Sequence, residues 1–490
     1  MLAEYLDPTF LTTEITFKLG RDVFELPYTC TSQQVHLYLN GSYDGVYVLT
    51  EHRQADPLGV GAQGRVKVDP LEGWFVELDA YWDDNPKFKT TSYDLPVMIK
   101  TNNAPTGDPD DSNNPFYDFI KNDWNELCNA LVSEDFPENG YRDLIDMRSL
   151  IDFIMINEFV YNDELGWPKS SFVYKDKGGK ISWGPLWDFD YAYTGYGTHT
   201  FFTKFTGRSD KHPFFLRFFQ DPVFLTMYKD RWNEKYSKVS DVSNYIKEMG
   251  AKLEVAVSED TKRWRISGGY WNNYPTDYSA EITKMKTWWD NRVSWLNTEL
   301  NKVEVFPKYK TFEVQTFGYP EIAPQTFSLV AYGDMTELSA TLQKAELSSF
   351  EISTELNKKA TGNGGFLATL SIKPKKMLPA AIHTDFLHLS GINRGKPFSF
   401  QMLVTVVVKN DNNSNITVEL EPEKSLKAWM YDGQLYVSGL TAGTVWSVYS
   451  ISGILIYQGV ALENKDNIKL PAQGIYIVQS GDNTIKVSNF

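Results

Sequence analysis

Up to about residue 302 the apolar residues return repeatedly at helical spacing, whereas beyond Val303 they alternate in short runs broken by Gly, Asn and Asp. A helical stripe and an alternating strand bury their apolar faces against different kinds of neighbour, so this change of texture excludes a single repeating architecture. At 490 residues the chain also exceeds what one core usually covers, and roughly two to four domains are expected.

In the first region, "DPTFLTTEITFKLG" reads as a helix with Asp7 at the N-cap and Pro8 at the first helical position. "QVHLYLNGSYDGVYVLTEH" predicts two strands turned at Asn40-Gly41, and "GWFVELDAY" and "LPVMIKT" read as further strands. Pro115 opens a helix with Phe116, Phe119, Ile120, Trp124, Leu127 and Leu131 on one face. Asp146 caps another, which carries Leu150, Ile151, Ile154 and Phe159 inward. "SFVYKDKGGKISWGPLWDFD" then predicts a hairpin turned at Gly178-Gly179 that delivers Asp188 at or just beyond its second strand. Residues 213–235, 240–257 and 279–302 read as helices. Short strands up to about residue 420 fit an immunoglobulin-like sandwich, and a second set of regular strands fills 425–490. The expected fold class is therefore α+β, with domains at 1–302, 303–423 and 424–490 and all-β character in the last two.

Composition narrows the partners. The formal net charge of −15 disfavours nucleic acid and anionic membrane. Two cysteines, Cys30 and Cys128, stand far apart in no metal-binding spacing, which argues against a disulfide framework or a zinc site. The most apolar long segment, "FSFQMLVTVVV", is too short to cross a bilayer, so no transmembrane segment is expected. The beginning, "MLAEYLDPTF", has no basic region followed by an apolar core and carries no secretory signal.

Chemistry concentrates in "GPLWDFDYAYTGYG", residues 184–197. If this stretch is extended, Asp188 and Asp190 point to one face, and a divalent cation would relieve their repulsion. Hard oxygen donors suit Mg²⁺ or Ca²⁺ better than zinc. Two acids capping loop backbone would read the same way. Asp163, in "EFVYNDELGWPKSSF", ends a helix and opens the loop leading to the hairpin. Helix end, loop acid, two strands and a metal-facing Asp is the order of parts in the catalytic lobe of a protein kinase. Two weaker signals are "GDPDDSNNPF", with the alternating oxygens of a calcium loop but not its Gly or Glu, and the aromatic "RWRISGGYWNNY". No P-loop or Gly-x-Ser-x-Gly motif occurs.

In order along residues 1–300 stand "DPTFLTTEITFKLG", "VHLYLNGSYDGVYVLTEH", "GWFVELDAY", "LPVMIK", "INEFVYND", "SSFVYKDKGGKISWGPLWDFDYAYTGYG" and "WWDNRVSWL". Together they resemble the CotH kinase-like family, named for spore-coat protein H. The resemblance implies an atypical protein-kinase fold that binds ATP and Mg²⁺ and phosphorylates protein Ser residues. By motif, Asp163 would be the catalytic acid/base, Asp188 a metal ligand and Asp190 an auxiliary one. Lys100 would contact phosphate, with Glu51 as its partner. Ser170 occupies the position expected for a metal-holding Asn, and a hydroxyl is a poorer ligand than an amide carbonyl. Family members carry a strand-rich segment before the "DPT" helix, so the resemblance also predicts a truncated nucleotide lobe.

The last segment, "VWSVYSISGILIYQG" followed by "IKLPAQGIYIVQSGDNTIKV", resembles the sorting domains of type IX secretion in Bacteroidetes-like bacteria, which implies export to the surface or medium. Two other readings stay open. One is a catalytically degenerate surface adhesion protein. The other is a glycoside hydrolase using Asp163 and Asp188 as its carboxylate pair.

Overall fold

Antiparallel sheets and long helices share the chain, which is an α+β protein with several separate sheets. The computed structural model describes residues 1–53, 73–100, 115–166, 168–193, 213–264, 277–307, 309–353, 357–360, 364–409, 426–431, 434–441, 443–450, 455–461, 465–470, 474–481 and 483–489. Two compact units are present. The first is Met1–Lys302 with Thr361–Gly365, and the second is the remainder from Val303 to Phe490.

The first unit opens with α1 (Thr12–Lys18), which runs into a π-helical turn at Leu19–Val23. Asp7 is not its N-cap. The Asp7 carboxylate accepts from the backbone N–H groups of Thr9, Leu11 and Thr12, so it holds the turn ahead of the helix, and regular helix begins only at Thr12. The strands β1 (Ser32–Leu39) and β2 (Ser42–Thr50) pair antiparallel around Asn40 and Gly41, both at positive φ, as a two-residue hairpin requires.

A five-stranded antiparallel sheet follows, built from β3 (Trp74–Leu78), β4 (Lys87–Lys89), β5 (Pro96–Ile99), β6 (Ser171–Lys175) and β7 (Ile181–Trp183) in the order β4-β5-β3-β6-β7. Between β5 and β6 come α2 (Pro115–Val132), the short α3 (Tyr141–Leu144) and α4 (Met147–Val160). Asp146 caps α4 by accepting from the backbone of Arg148 and Ser149. After β7 come α5 (Phe214–Phe218), α6 (Pro222–Arg263) and α7 (Tyr278–Leu300). The two helices expected at 213–235 and 240–257 are rearranged. Asp221 caps a helix starting at Pro222, and it continues unbroken for 42 residues because no Pro or Gly-Pro pair interrupts its apolar face.

One hydrophobic core spans this unit, drawing on α1, the five-stranded sheet and all the long helices. Trp74, Trp124, Trp183, Trp232 and Trp289 lie fully inside it, which is where much of the aromatic content goes. Set into this core is an ion pair. Arg292 of α7 is wholly buried, and its guanidinium donates to the Glu158 carboxylate at 2.9 Å, to the Phe159 carbonyl at 2.9 Å and to the Glu158 carbonyl. Phe159 packs edge-on to Trp289 with ring centroids 4.5 Å apart. The last turn of α4 is thus fixed from the side by α7.

In the second unit, two five-stranded sheets contribute to one core that includes Val305, Phe327, Leu370, Leu389 and Val404. A three-stranded and a four-stranded sheet contribute to another, which includes Leu435, Trp446, Val448 and Val478. The long hairpin of Ala381–Asn393 and Lys396–Lys409 pairs in unbroken register and supplies most of one sheet.

Removing one partner of a buried charge pair leaves the other uncompensated. Arg292→Met is expected to destabilise the protein by about 3 kcal/mol or more, read as a lowered midpoint in urea unfolding.

Candidate active site

The Gly184-Pro185 break puts the acidic motif where it is. Gly184 has φ +140°, and a Cβ there would lie 2.7 Å from the Tyr28 carbonyl, so only glycine lets the chain leave β7 this close to that backbone. The chain then runs irregularly. Asp188 lies five residues past the end of β7 with φ +63°, so the two acids are not presented by a strand's pleat. They still emerge together, because Phe189 between them is buried and both acids are exposed. Beyond them the segment is tied down. The Tyr193 N–H donates to the Val160 carbonyl at 2.7 Å, its hydroxyl lies 2.8 Å from Thr16 Oγ1, and its ring packs on Trp288 and Trp289.

The other arm of the site leaves α4. Tyr161 adopts the left-handed conformation that ends the helix. Asn162 is braced by donation to Asn157 Oδ1 at 3.0 Å, and a short 3₁₀ turn covers Asp163–Gly166. The backbone of Asp163 opens this turn, while its carboxylate lies outside the described part of the structure. Its neighbour Glu164 enters the site: oxygens of Glu164, Asp188 and Asp190 all lie within 4.8 Å of one another. Glu164 Oε2 is buried and has no hydrogen-bond partner among the described residues. Ser170 Oγ donates to Asp188 Oδ2 at 3.1 Å, and the Ser170 N–H donates to Asp79 at 3.1 Å.

Beside this cluster lies a polar cavity of about 420 Å³. Glu77, Asp79, Asp83, Asp84, Glu164 and Asp188 line it against Arg53, Lys100 and Lys169, so its walls carry an excess of negative charge. Lys100, just past β5, forms ion pairs with Glu77 at 2.9 Å and Asp84 at 2.6 Å. Its acidic partner on the sheet is therefore Glu77, from the middle of β3, rather than Glu51. The Glu51 carboxylate accepts from the Thr31 N–H at 2.8 Å and does not line the cavity. Two residues on, Arg53 does, with its guanidinium over the rings of Trp187 and Phe172 at 4.5 and 5.0 Å. Lys169 sits over Tyr81 and lies 3.7 Å from Glu164.

The structure thus brings Lys100, Ser170 and Asp188 to one cavity, with Asp190 at its acidic end, and sets Glu51 apart. Glu164, Glu77, Arg53 and Lys169 were not singled out from the sequence. A signal existed for Glu77, since an acid in the middle of the apolar run "WFVEL" is costly to bury without a purpose. The possible calcium loop at 107–116 lies almost wholly outside the described residues, as does most of the aromatic stretch 263–274.

Electrostatics agree with the crowding. Burial, then the charge of Asp188, pushes Glu164 up to about 7. Partial loss of water, then Asp188, pushes Asp190 up to about 6. Burial raises Glu77 despite Lys100 beside it. Lys100 itself is held above its usual value, burial opposing its charge but Asp84 and Glu77 outweighing it. Three oxygen donors with an orphaned buried oxygen are a fit for a hard divalent cation.

The family model described as CotH kinase protein matches residues 1–296. The chain belongs to this family. No curated protein matches it. Among solved structures it is similar to the E. coli chaperone DraB (10% identity, 38% of this chain, 95% of that chain, TM-score 0.22) and the Pseudomonas aeruginosa CupB2 chaperone (12% identity, 36% and 96%, TM-score 0.21). It is also similar to a CsuC-CsuE chaperone–tip adhesion complex of Acinetobacter baumannii (11% identity, 38% and 98%, TM-score 0.23). Likenesses of this size do not fix a fold.

Raised carboxylates favour the folded state fully below their unfolded pKa and lose that contribution as pH rises through the folded value. Without divalent cation, thermal melts should therefore show Glu164 and Asp190 costing stability between about pH 4 and 7, and Asp190→Asn should flatten part of that decline. Because protons compete with a cation for the same oxygens, added Mg²⁺ or Mn²⁺ should raise the melting temperature more at ~pH 7.5 than at ~pH 5.5.

Proposed function

We propose that this CotH-family chain is a secreted or surface-bound protein kinase that transfers the γ-phosphoryl group of ATP to protein Ser hydroxyls. The observation that carries the reading is the cluster of Glu164, Asp188 and Asp190, one oxygen of it orphaned, at the edge of a cavity that also presents Lys100, Lys169 and Arg53. A triphosphate needs both features. Its negative charge would be repelled by the acidic walls alone, and the three cations cannot neutralise walls and ligand together.

When bound, Mg²⁺ would supply the missing positive charge and screen the phosphates from the carboxylates. The rest falls to the chain. Lys100, held charged and placed by Glu77, would contact phosphate in exchange for Asp84, whose carboxylate is exposed. Lys169 and Arg53 would add charge at the same cavity, and Arg53 is steadied by its two aromatic rings. By the family resemblance, Asp163 would orient the acceptor and take its proton. The Ser oxygen forms the new bond to the γ-phosphorus, the bond from that phosphorus to the bridging oxygen breaks, and ADP leaves with its electron pair. The serine hydroxyl proton passes to the Asp163 carboxylate.

Surface location rests on the resemblance of residues 424–490 to a type IX sorting domain, with 303–423 as an immunoglobulin-like spacer between it and the kinase-like domain at 1–302. Among the described residues no helix is long and apolar enough to cross a membrane.

The test is a thermal shift with Mg-ATP on the full chain and on Asp188→Ala, followed by transfer of labelled γ-phosphate to a Ser-containing protein. Stabilisation and transfer by the parent are expected, with Asp188→Ala losing the shift and about 10²-fold or more of the transfer rate. No response to millimolar nucleotide would favour a non-catalytic adhesion role, and a response to oligosaccharides instead would favour a glycosidase.

A further inference from the structure

A second cavity, of about 740 Å³, also borders the acidic cluster, through Asp190. Glu164 and Asp188 line the polar cavity, Asp190 lines this one, and oxygens of the three lie within 4.8 Å of one another. The cluster is therefore the junction between two spaces of opposite character. The second is walled mainly by apolar groups: Leu6, Pro8, Ala192, Tyr193, Met285 and Trp288. Trp288 and Met285 are almost entirely covered, and the Trp288 ring is set by Tyr193 at 5.2 Å between centroids.

It offers a phosphate fewer cations than the polar cavity does. Lys284 is the cation among the described lining residues, and it is paired with Glu281 at 2.6 Å. Asp190 adds a negative charge, and Asp7 another, whose oxygens already accept from the Thr9, Leu11 and Thr12 N–H groups. With Arg53, Lys100 and Lys169 in its lining, the polar cavity is thus the better match for a triphosphate. Transfer between two substrates requires that they meet at the transferred group from different directions. The space beyond Asp190 is the one left for the acceptor, and its volume suits a large side chain together with a stretch of backbone.

Resting on the kinase reading, we infer that this cavity receives a polypeptide acceptor through a bulky apolar or aromatic side chain a few residues from the target Ser, and so selects substrates by that residue. Thr287 and Asn291 are exposed on the α7 face that borders the cavity, so enlarging them fills the space without disturbing the core.

The experiment uses the full chain, Thr287→Trp, and Asn291→Phe as a second variant should the first fail to fold. The probes are short fluorescent peptides with one Ser in an Ala/Gly host, with Phe placed in turn at each position up to four residues either side. Binding is read by anisotropy, and nucleotide binding by the Mg-ATP thermal shift. At one Phe position the parent should bind about tenfold or more tighter than the host peptide, the order expected for burying one aromatic ring. The variants should lose that advantage and keep the Mg-ATP shift. The inference is overturned if no Phe position helps, if the variants keep the preference, or if they lose the nucleotide response instead, which would place the adenine here. A parent that shows the Phe preference but no Mg-ATP shift and no transfer would keep the peptide site and overturn the kinase reading alone.

Discussion

The candidate site depends on how the end of α4 is held. Arg292 reaches from α7 through the core to the Glu158 carboxylate and to two carbonyls of the last turn of α4, with no exposure to water. A charge that is fully desolvated is tolerable only when an opposite charge and further acceptors meet it in this way. From that fixed turn both arms of the site depart. One continues through Asn162 into the turn bearing Glu164, and the other is pinned when the Tyr193 N–H donates to Val160 three residues after Asp190. One ion pair therefore sets the separation of carboxylates that come from segments far apart in the chain.

Those carboxylates are placed at a cost. Carboxylates that crowd one another and leave a buried oxygen without a donor are worse than an apolar core would be. Burial and the charge of Asp188 accordingly raise the proton affinities of Glu164 and Asp190. A protein stabilised only for its own sake has no use for this arrangement. On the proposed reading it would become favourable when a cation and a polyanion enter together, the cation matching the cluster and the polyanion matching Lys100, Lys169 and Arg53.

Much of this was legible in the sequence. The hairpins at Asn40-Gly41 and Gly178-Gly179, the Asp146 cap and the helices opening at Pro115 and near residue 279 all rest on local signals, and local signals survive folding. Several misreadings began from a local pattern that the rest of the fold overrides. Asp7 followed by Pro8 satisfies the pattern of a helix start, but its side chain reaches farther along the chain and caps a turn instead. The DFD pair satisfies the spacing of a strand, but Gly184 had already turned the chain out of β7 past the Tyr28 carbonyl, an encounter between distant segments that no local pattern encodes. The partner of Lys100 was misassigned for the same reason, because Glu77 faces it only through the pairing of β3 with β5.

Ser170 shows why a site is better judged by its whole donor set than by one position. Taken alone, a hydroxyl where an amide carbonyl is expected weakens a cation site. In the fold that hydroxyl donates to Asp188 Oδ2, while Glu164 brings in a carboxylate oxygen that the expected pattern does not contain. An anionic oxygen attracts a divalent ion more strongly than a neutral carbonyl does, and here it has no competing hydrogen bond to give up at Oε2. On the proposed reading the exchange would set an anionic oxygen near the cation where a neutral one is expected. That shifts the burden of balance onto Lys169, which lies 3.7 Å from Glu164 and is held charged chiefly by the Tyr81 hydroxyl and against partial burial.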